Sequence, residues 1–259
     1  MQKPPSAVSE TRVVRSDDGS FTAYSFLFDE HYHSTKDGAL NESLSKHVIP
    51  AFTALPGRSE LVILDICFGL GFNTLATLHY LREHAPQTRV RIFSPEFDGD
   101  LVRSLEHFPY PEVFAPFREV ITSLSQEGHY RDDGAEITLY IGDARNYLRE
   151  CTERFDVVFQ DAFSPAANPM LWTREYFADI AAHLKEEGVV TTYSTALKTR
   201  LALHENGLQV YLNRGEGYRN ATVASRADLS RWFEPVDMAH KKACNPDAVP
   251  LCDRDSADA

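Results

Sequence analysis

Leu61-Val62-Ile63-Leu64-Asp65-Ile66-Cys67-Phe68-Gly69-Leu70-Gly71-Phe72-Asn73 is the stretch that decides the fold. Residues 61–66 are an almost unbroken apolar run, as a strand buried on both faces of a parallel sheet requires. Two glycines follow, one residue apart, and a helical pattern starts at about residue 73 and runs to 84. Glycine is needed where the chain turns sharply or must lie against a ligand with no Cβ in the way. The helix that follows offers free N–H groups and the positive end of its dipole. A dinucleotide-binding turn would place a third glycine or alanine three residues on, and here that position is Thr74. Asp65 ends the strand just before the turn. A carboxylate there repels a diphosphate and attracts an ammonium, so the turn suits an amino-acid moiety better than a pyrophosphate. A plain tight turn, with Asp65 as a turn acid, is the competing reading.

Outward from this turn, further strands are expected at 90–94, 137–141, 155–160 and 189–193. Helices are expected at 42–52, 145–150, 173–184 and 195–206, and the region 100–132 reads as irregular and mostly helical. A glycine at 188 is expected to close the helix at 173–184. Segments 209–212 and 221–225 read as a closing antiparallel pair. Strands alternating with helices imply an α/β fold with a doubly wound, mostly parallel sheet, Rossmann-like. The chain divides into an arm and lid/helix region (1–56), a core domain (57–236) and a tail (237–259) expected to be disordered or loosely docked, because it is polar and rich in prolines and acids. Residues 1–20 are expected to be mobile, 21–28 to form a strand or hairpin arm, and 31–41 a loop.

Two further acids stand where this fold binds ligands. Glu96, one strand-helix-strand step after the glycines, is placed to accept hydrogen bonds from both hydroxyls of a ribose, with Asp98 as the alternative. Gly142-Asp143-Ala144 follows the third strand; by itself it is also compatible with an Asx turn or helix cap. With 43% hydrophobic and 25% charged residues the composition is ordinary for a globular protein. No segment approaches the roughly 20 apolar residues of a membrane span, and no leader is visible at the N-terminus. A cytoplasmic protein is expected. The net charge of −12 argues against a general nucleic-acid binder. It leaves room for a local basic patch. Cys67, Cys151, Cys244 and Cys252 match no zinc spacing, and His31, His33 and His47 show no converging ligand set, so no metal is expected.

The most distinctive stretch follows the fourth strand: Phe159-Gln160-Asp161-Ala162-Phe163-Ser164-Pro165-Ala166-Ala167-Asn168-Pro169-Met170-Leu171-Trp172-Thr173. Prolines stiffen it, Asp161 and Asn168 supply polar groups, and Phe163 and Trp172 supply flat surfaces on which a nucleobase could stack. A rigid loop with a packed Trp172 and Thr173 as helix cap is the plainer alternative.

Asp161-Ala-Phe-Ser-Pro-x-x-Asn-Pro-x-Leu-Trp-Thr resembles the signature of the MnmC methyltransferase family. Tyr32-His33-Ser34, Asp37-Gly38-Ala39, Glu42-Ser43, Phe68-Gly69-Leu70-Gly71-Phe72-Asn73, Thr191-Thr192-Tyr193-Ser194 and Arg214-Gly215-x-Gly217-x-Arg219 are similar to its other elements, over about residues 18–226. The resemblance implies a class I fold using S-adenosylmethionine. It also implies methyl transfer to the amine of 5-aminomethyl-(2-thio)uridine at the wobble position of the tRNA anticodon loop. It places Asp65, Gly69, Gly71, Asn73, Glu96, Asp143 and Ala144 at the cofactor. Asp161 stands beside the reacting amine, whose proton it could accept. Tyr32, Phe163, Pro165, Asn168, Trp172, Arg214 and Arg219 face the substrate, Tyr32 and His33 as a lid. Two departures stand out. The flavin-dependent oxidase domain of the bifunctional member is not expected in these 259 residues, and Asn220-Ala221-Thr222 stands where the family has a basic run. A small-molecule methyltransferase and a non-catalytic protein of the same fold are the alternatives. The oligomeric state is not legible.

Overall fold

A computed structural model describes residues 11–256. Its strands are β1 (Thr11–Arg15), β2 (Phe21–Ser25), β3 (Glu30–His31), β4 (Glu60–Ile66), β5 (Arg89–Glu96), β6 (His129–Arg131), β7 (Ala135–Ile141), β8 (Phe155–Gln160), β9 (Leu184–Thr192), β10 (Gln209–Asn213), β11 (Ala221–Ser225) and β12 (Glu234–Pro235). The helices are α1 (Ala39–Glu42), α2 (Ile49–Ala54), α3 (Phe72–His84), α4 (Gly99–Ser104), α5 (Arg118–Glu127), α6 (Ala144–Glu150), α7 (Arg174–His183), α8 (Leu197–Glu205), α9 (Met238–Cys244) and α10 (Asp253–Ser256). A π-helical segment, Ser43–Val48, joins α1 to α2.

Nine strands form the main sheet in the order β12-β10-β11-β9-β8-β4-β5-β7-β6. The central strands β9, β8, β4, β5 and β7 are parallel, and the rest add antiparallel edges. β4 has β5 on one side and β8 on the other, so the chain order reverses there. That is where open α/β sheets carry their ligand crevice, at the carboxyl ends of the strands. Burial agrees with the pattern of the residues. Six of the seven β4 residues are buried, because apolar layers cover both faces of the sheet. One contains Leu61, Ile63, Phe72 and Leu75, and the other Leu64, Ile66, Phe155 and Trp172. Each such side chain contributes roughly 1.5–3 kcal/mol on burial. The fold is the doubly wound, mostly parallel α/β sheet expected from the sequence.

Several expectations change at the edges. Residues 11–15, expected to be mobile, pair antiparallel with β2; residues 1–10 lie outside the described part. The expected loop at 31–41 includes the end of β3 and the first turn of a helical run from Ala39 to Ala54. No glycine turn closes α7. β9 begins directly at Leu184, opposite Phe155, and a register shift lies between Phe155 and Val157.

The tail is the largest correction. Residues 237–256 form α9 and α10 and dock on the domain, while 257–259 lie outside the described residues. Leu251 bridges Thr173 in parallel and accepts a hydrogen bond from the Arg174 amide at 2.7 Å. Buried Arg145 donates two hydrogen bonds to Asp253, at 2.9 and 2.6 Å. Polar composition misled here because a few anchors are enough: Met238, Ala248 and Leu251 join the lower apolar layer, and a planar guanidinium grips a carboxylate bidentately.

Candidate active site

At the carboxyl ends of β4, β5, β7 and β8 lies a cavity of about 1250 Å³. Its floor is the turn after β4. Cys67, Gly69 and Gly71 all take positive φ, at 64°, 54° and 73°. At Gly71 the requirement is absolute in practice: a Cβ would sit 2.8 Å from the Phe68 ring. Gly71 caps α3 in the left-handed region. Cys67 lines the cavity, and burial pushes its thiol well above the usual range, which leaves it unreactive.

Glu96 closes the adjacent wall. It is buried, and its carboxylate accepts from the Gly69 amide at 2.7 Å and the Asp98 amide at 2.8 Å. Burial raises its pKa, and the two amides oppose that rise. Asp98 instead caps α4, accepting from the amides of Asp100 and Leu101. Asp143 caps α6 in the same way, receiving Arg145 and Asn146 at 2.8 and 3.0 Å. The two readings of Gly142-Asp143-Ala144 coincide, since Asp143 caps a helix and Asp143 and Ala144 also line the cavity.

Asp65 is 1% exposed and stands behind the wall rather than in it. Its oxygens accept from Thr74 Oγ1 at 2.8 Å and Asn73 Nδ2 at 3.4 Å. Burial drives its pKa up to about 7, Thr74 opposing and the nearby Asp161 adding to the rise. The group that reaches the cavity is Asn73. Its Nδ2 donates to Asp161 Oδ2 at 2.9 Å, and its Oδ1 is buried with no partner among the described residues.

Asp161 follows β8 and faces the cavity, with its second oxygen, Oδ1, 3.3 Å from His47 Nε2. Beyond it the loop turns upward. Phe163 stacks on Phe28 at 4.4 Å and leans on Tyr32 at 4.9 Å. Ser164 donates through its amide and hydroxyl to Glu30. The N-terminal arm is thereby fastened over the loop. Tyr32 lies over Gly69, where a Cβ would meet its ring at 3.1 Å.

Five charged or ionisable groups lie beneath this arm. Lys46 Nζ donates to Asp37 Oδ2 at 2.6 Å and Glu42 Oε1 at 2.7 Å, and Arg219 Nε reaches Asp37 at 3.0 Å. Burial resists ionisation of Asp37 and Glu42, but the cations and His33 hold both below the usual carboxylate range. Burial also resists charge on His33, yet Glu42 at 3.7 Å and Asp161 raise its pKa.

Of the residues expected at a substrate, Tyr32, Phe163, Asn168 and Arg219 line the cavity. Pro165 does not. Trp172 is 1% exposed and donates its indole N–H to the Phe163 carbonyl at 2.7 Å, so it braces the loop from beneath and offers no stacking face. Arg214 pairs with Glu234 on the surface at 3.1 Å, away from the cavity. Gly71 shapes the turn without lining the space. Sequence reasoning missed Glu30, Lys46, His47 and Tyr193. No local pattern marks Glu30, Lys46 or His47, because each meets the site only across the sheet or arm, and Tyr193 stands in a stretch that resembles the family with no role of its own implied. Eight carboxylates line the cavity against three Lys or Arg side chains, which favours ligands with positive charge.

The family described as S-adenosyl-L-methionine-dependent methyltransferase matches residues 112–227. MnmC2 of Aquifex aeolicus, a crystal structure, superposes with a TM-score of 0.83 at 34% identity, over 97% of this chain and 81% of that one. The chain belongs to the MnmC2 family. It is an S-adenosyl-L-methionine-dependent methyltransferase. Among curated proteins, an uncharacterized protein of Methanocaldococcus jannaschii is 32% identical over 76% of this chain and 54% of its own length. The tRNA 5-methylaminomethyl-2-thiouridine biosynthesis bifunctional protein MnmC of Azoarcus is 32% identical over 85% of this chain and 36% of its own. The chain thus spans about a third to a half of these curated relatives. Among the described residues no helix is long and apolar enough to cross a membrane.

Proposed function

We propose that this methyltransferase transfers the methyl group of S-adenosylmethionine to the amine of 5-aminomethyl-(2-thio)uridine at a tRNA wobble position. The observation that carries the reading is Asp161. It is held by Asn73 at the β4/β8 switch point, in an acidic cavity larger than the roughly 300–1,000 Å³ of ordinary small-molecule sites. That leaves space for a cofactor and an acceptor together.

The residues present fit the cofactor. The buried, unpartnered Oδ1 of Asn73 is an acceptor for the ammonium of the methionine moiety. Asp65 acts behind it, fixing Asn73 and Thr74. Glu96 is oriented by two amides and retains acceptor capacity for ribose hydroxyls. Asp143 and Ala144 flank the adenine end, and Gly69 lets the ligand approach the backbone. When bound, the cofactor supplies an electrophilic methyl group on a sulfonium.

The chain's own part is placement and a proton. A primary ammonium has no lone pair, so its proton must leave before or as the C–N bond forms. Asp161 is the acceptor for that proton. Tyr32 and Phe163 form the apolar side of the acceptor space, Asn168 supplies a polar group, and Arg219 is the cation at its rim. Holding amine and methyl group in line accounts for much of the acceleration.

The test is incubation with methyl-labelled S-adenosylmethionine and tRNA carrying the aminomethyl group. Label is expected in the wobble nucleoside, and Asp161→Asn is expected to lower the rate by about 10²–10⁴. The net charge of −12 favours a second reading, a small free amine as acceptor. An unlabelled tRNA beside labelled amine-bearing nucleosides would reveal it.

A further inference from the structure

We infer that His47 is a positioning residue for Asp161, holding the carboxylate oxygen that Asn73 does not. The inference rests on the proposed role of Asp161. His47 lies on the π-helical segment, and such segments recur at functional sites. Its ring is completely buried. Nδ1 is 3.0 Å from Thr191 Oγ1 on β9, and the Phe159 ring on β8 stands edge-on at 5.7 Å. Nε2 is 3.3 Å from Asp161 Oδ1, within ion-pair distance, and is buried with no hydrogen-bond partner among the described residues. Three elements therefore fix the ring with one nitrogen aimed at the acid.

Chemistry selects the tautomer. A carboxylate only accepts, so the nitrogen facing it must carry hydrogen. In the neutral ring Nδ1 then accepts from the Thr191 hydroxyl. Asp161 thus has a donor at each oxygen, Asn73 hydrogen-bonded to Oδ2 and the His47 ring 3.3 Å from Oδ1. The contact is long and off-line for a hydrogen bond, as catalytic contacts in ligand-free sites commonly are before they tighten around substrate. Both donors matter because Asp65 is also close by and its charge repels that of Asp161. Lys46, next in sequence, faces the other way, toward Asp37 and Glu42. No proton passes to the ring: it keeps its own, and the substrate's proton goes to Asp161.

The test has two arms. In protein labelled with ¹⁵N-histidine, the His47 ring is expected to show the Nε2–H form, with a slowly exchanging proton that Asp161→Ala shifts or abolishes. The Nδ1–H form, or a proton indifferent to Asp161→Ala, overturns the inference whether or not the tRNA reading holds. In methyl transfer, His47→Leu is expected to lower kcat by roughly tenfold to a hundredfold, with cofactor Kd within about twofold. His47→Gln, whose amide nitrogen can reach the position of Nε2, is expected to restore most of it. Equal losses in both variants, tracking a fall in Tm, mean a purely structural ring and also overturn the inference. Absence of tRNA labelling by the unaltered enzyme counts against the substrate alone.

Discussion

Asp161 and Asp65 are two buried-side acids with opposite placements. Asp161 faces the cavity; Asp65 has no surface there and acts through Asn73 and Thr74. The pKa of Asp65 near 7 has a consequence for stability. An aspartate in the unfolded chain ionises near pH 4, so between about pH 4 and 7 the folded state binds the extra proton. Stability then falls as pH rises through that window. Asp65→Asn is expected to flatten this slope, so that its Tm relative to the parent is more favourable at pH 8 than at pH 5; thermal unfolding at both pH values checks it. A parallel slope in the two proteins would show that Asp65 keeps its charge on folding. At the same scale, Asn73→Ala removes the buried, unpartnered acceptor and one donor to Asp161. It is expected to weaken cofactor binding by about 1–3 kcal/mol, measurable by calorimetry, where Asp161→Asn leaves most of the affinity.

At the scale of elements, the site is made where β4 passes into α3. Gly71→Ala would put a side chain at φ 73° and within 2.8 Å of Phe68. A destabilisation of about 1–3 kcal/mol is expected in denaturant titration, with cofactor affinity falling as the turn opens. The arm that carries β2 and β3 is held to the loop after β8 by Phe28 on Phe163 and Glu30 on Ser164. Phe28→Ala forfeits a ring stack of about 0.5–1.5 kcal/mol. On the proposed function, in which the arm walls the acceptor side, KM for the acceptor is expected to rise several-fold while cofactor Kd stays nearly constant. A change confined to cofactor affinity would reassign the arm.

For the molecule as a whole, the docked tail and the charge distribution give the sharpest expectations. Removing residues 237–259 strips Met238, Ala248 and Leu251 from the lower apolar layer and leaves buried Arg145 without Asp253. Breaking a buried pair is costly, although Asp253 is partly exposed and its share is reduced accordingly. A fall in Tm of roughly 5 °C or more is expected; an unchanged Tm would restore the picture of a loose tail. If the acceptor is the proposed tRNA, the net charge of −12 with few cations lining the cavity predicts weak dependence of its affinity on salt. A log–log slope no steeper than about −3 is expected, and a steeper one would point to a basic surface elsewhere.

What the residues alone determine is whatever depends on neighbours in the chain. The apolar run into Gly69 and Gly71, the acids near the strand ends and the strand-helix alternation are local, so the parallel sheet and several residues that line the cavity could be read directly. The roles of Trp172, Arg214 and His47 could not. Residue type puts Trp172 and the resemblance puts Arg214 on the substrate side, and along the chain His47 stands only in a histidine group with no converging ligand set. Whether a Trp faces a ligand or braces a loop, and which acid a histidine on another element meets, depends on packing across the sheet. The same holds for the tail, whose polar sequence hides three apolar anchors and one buried ion pair. Such contacts join residues far apart in the chain, and only the folded arrangement brings them within a few ångströms.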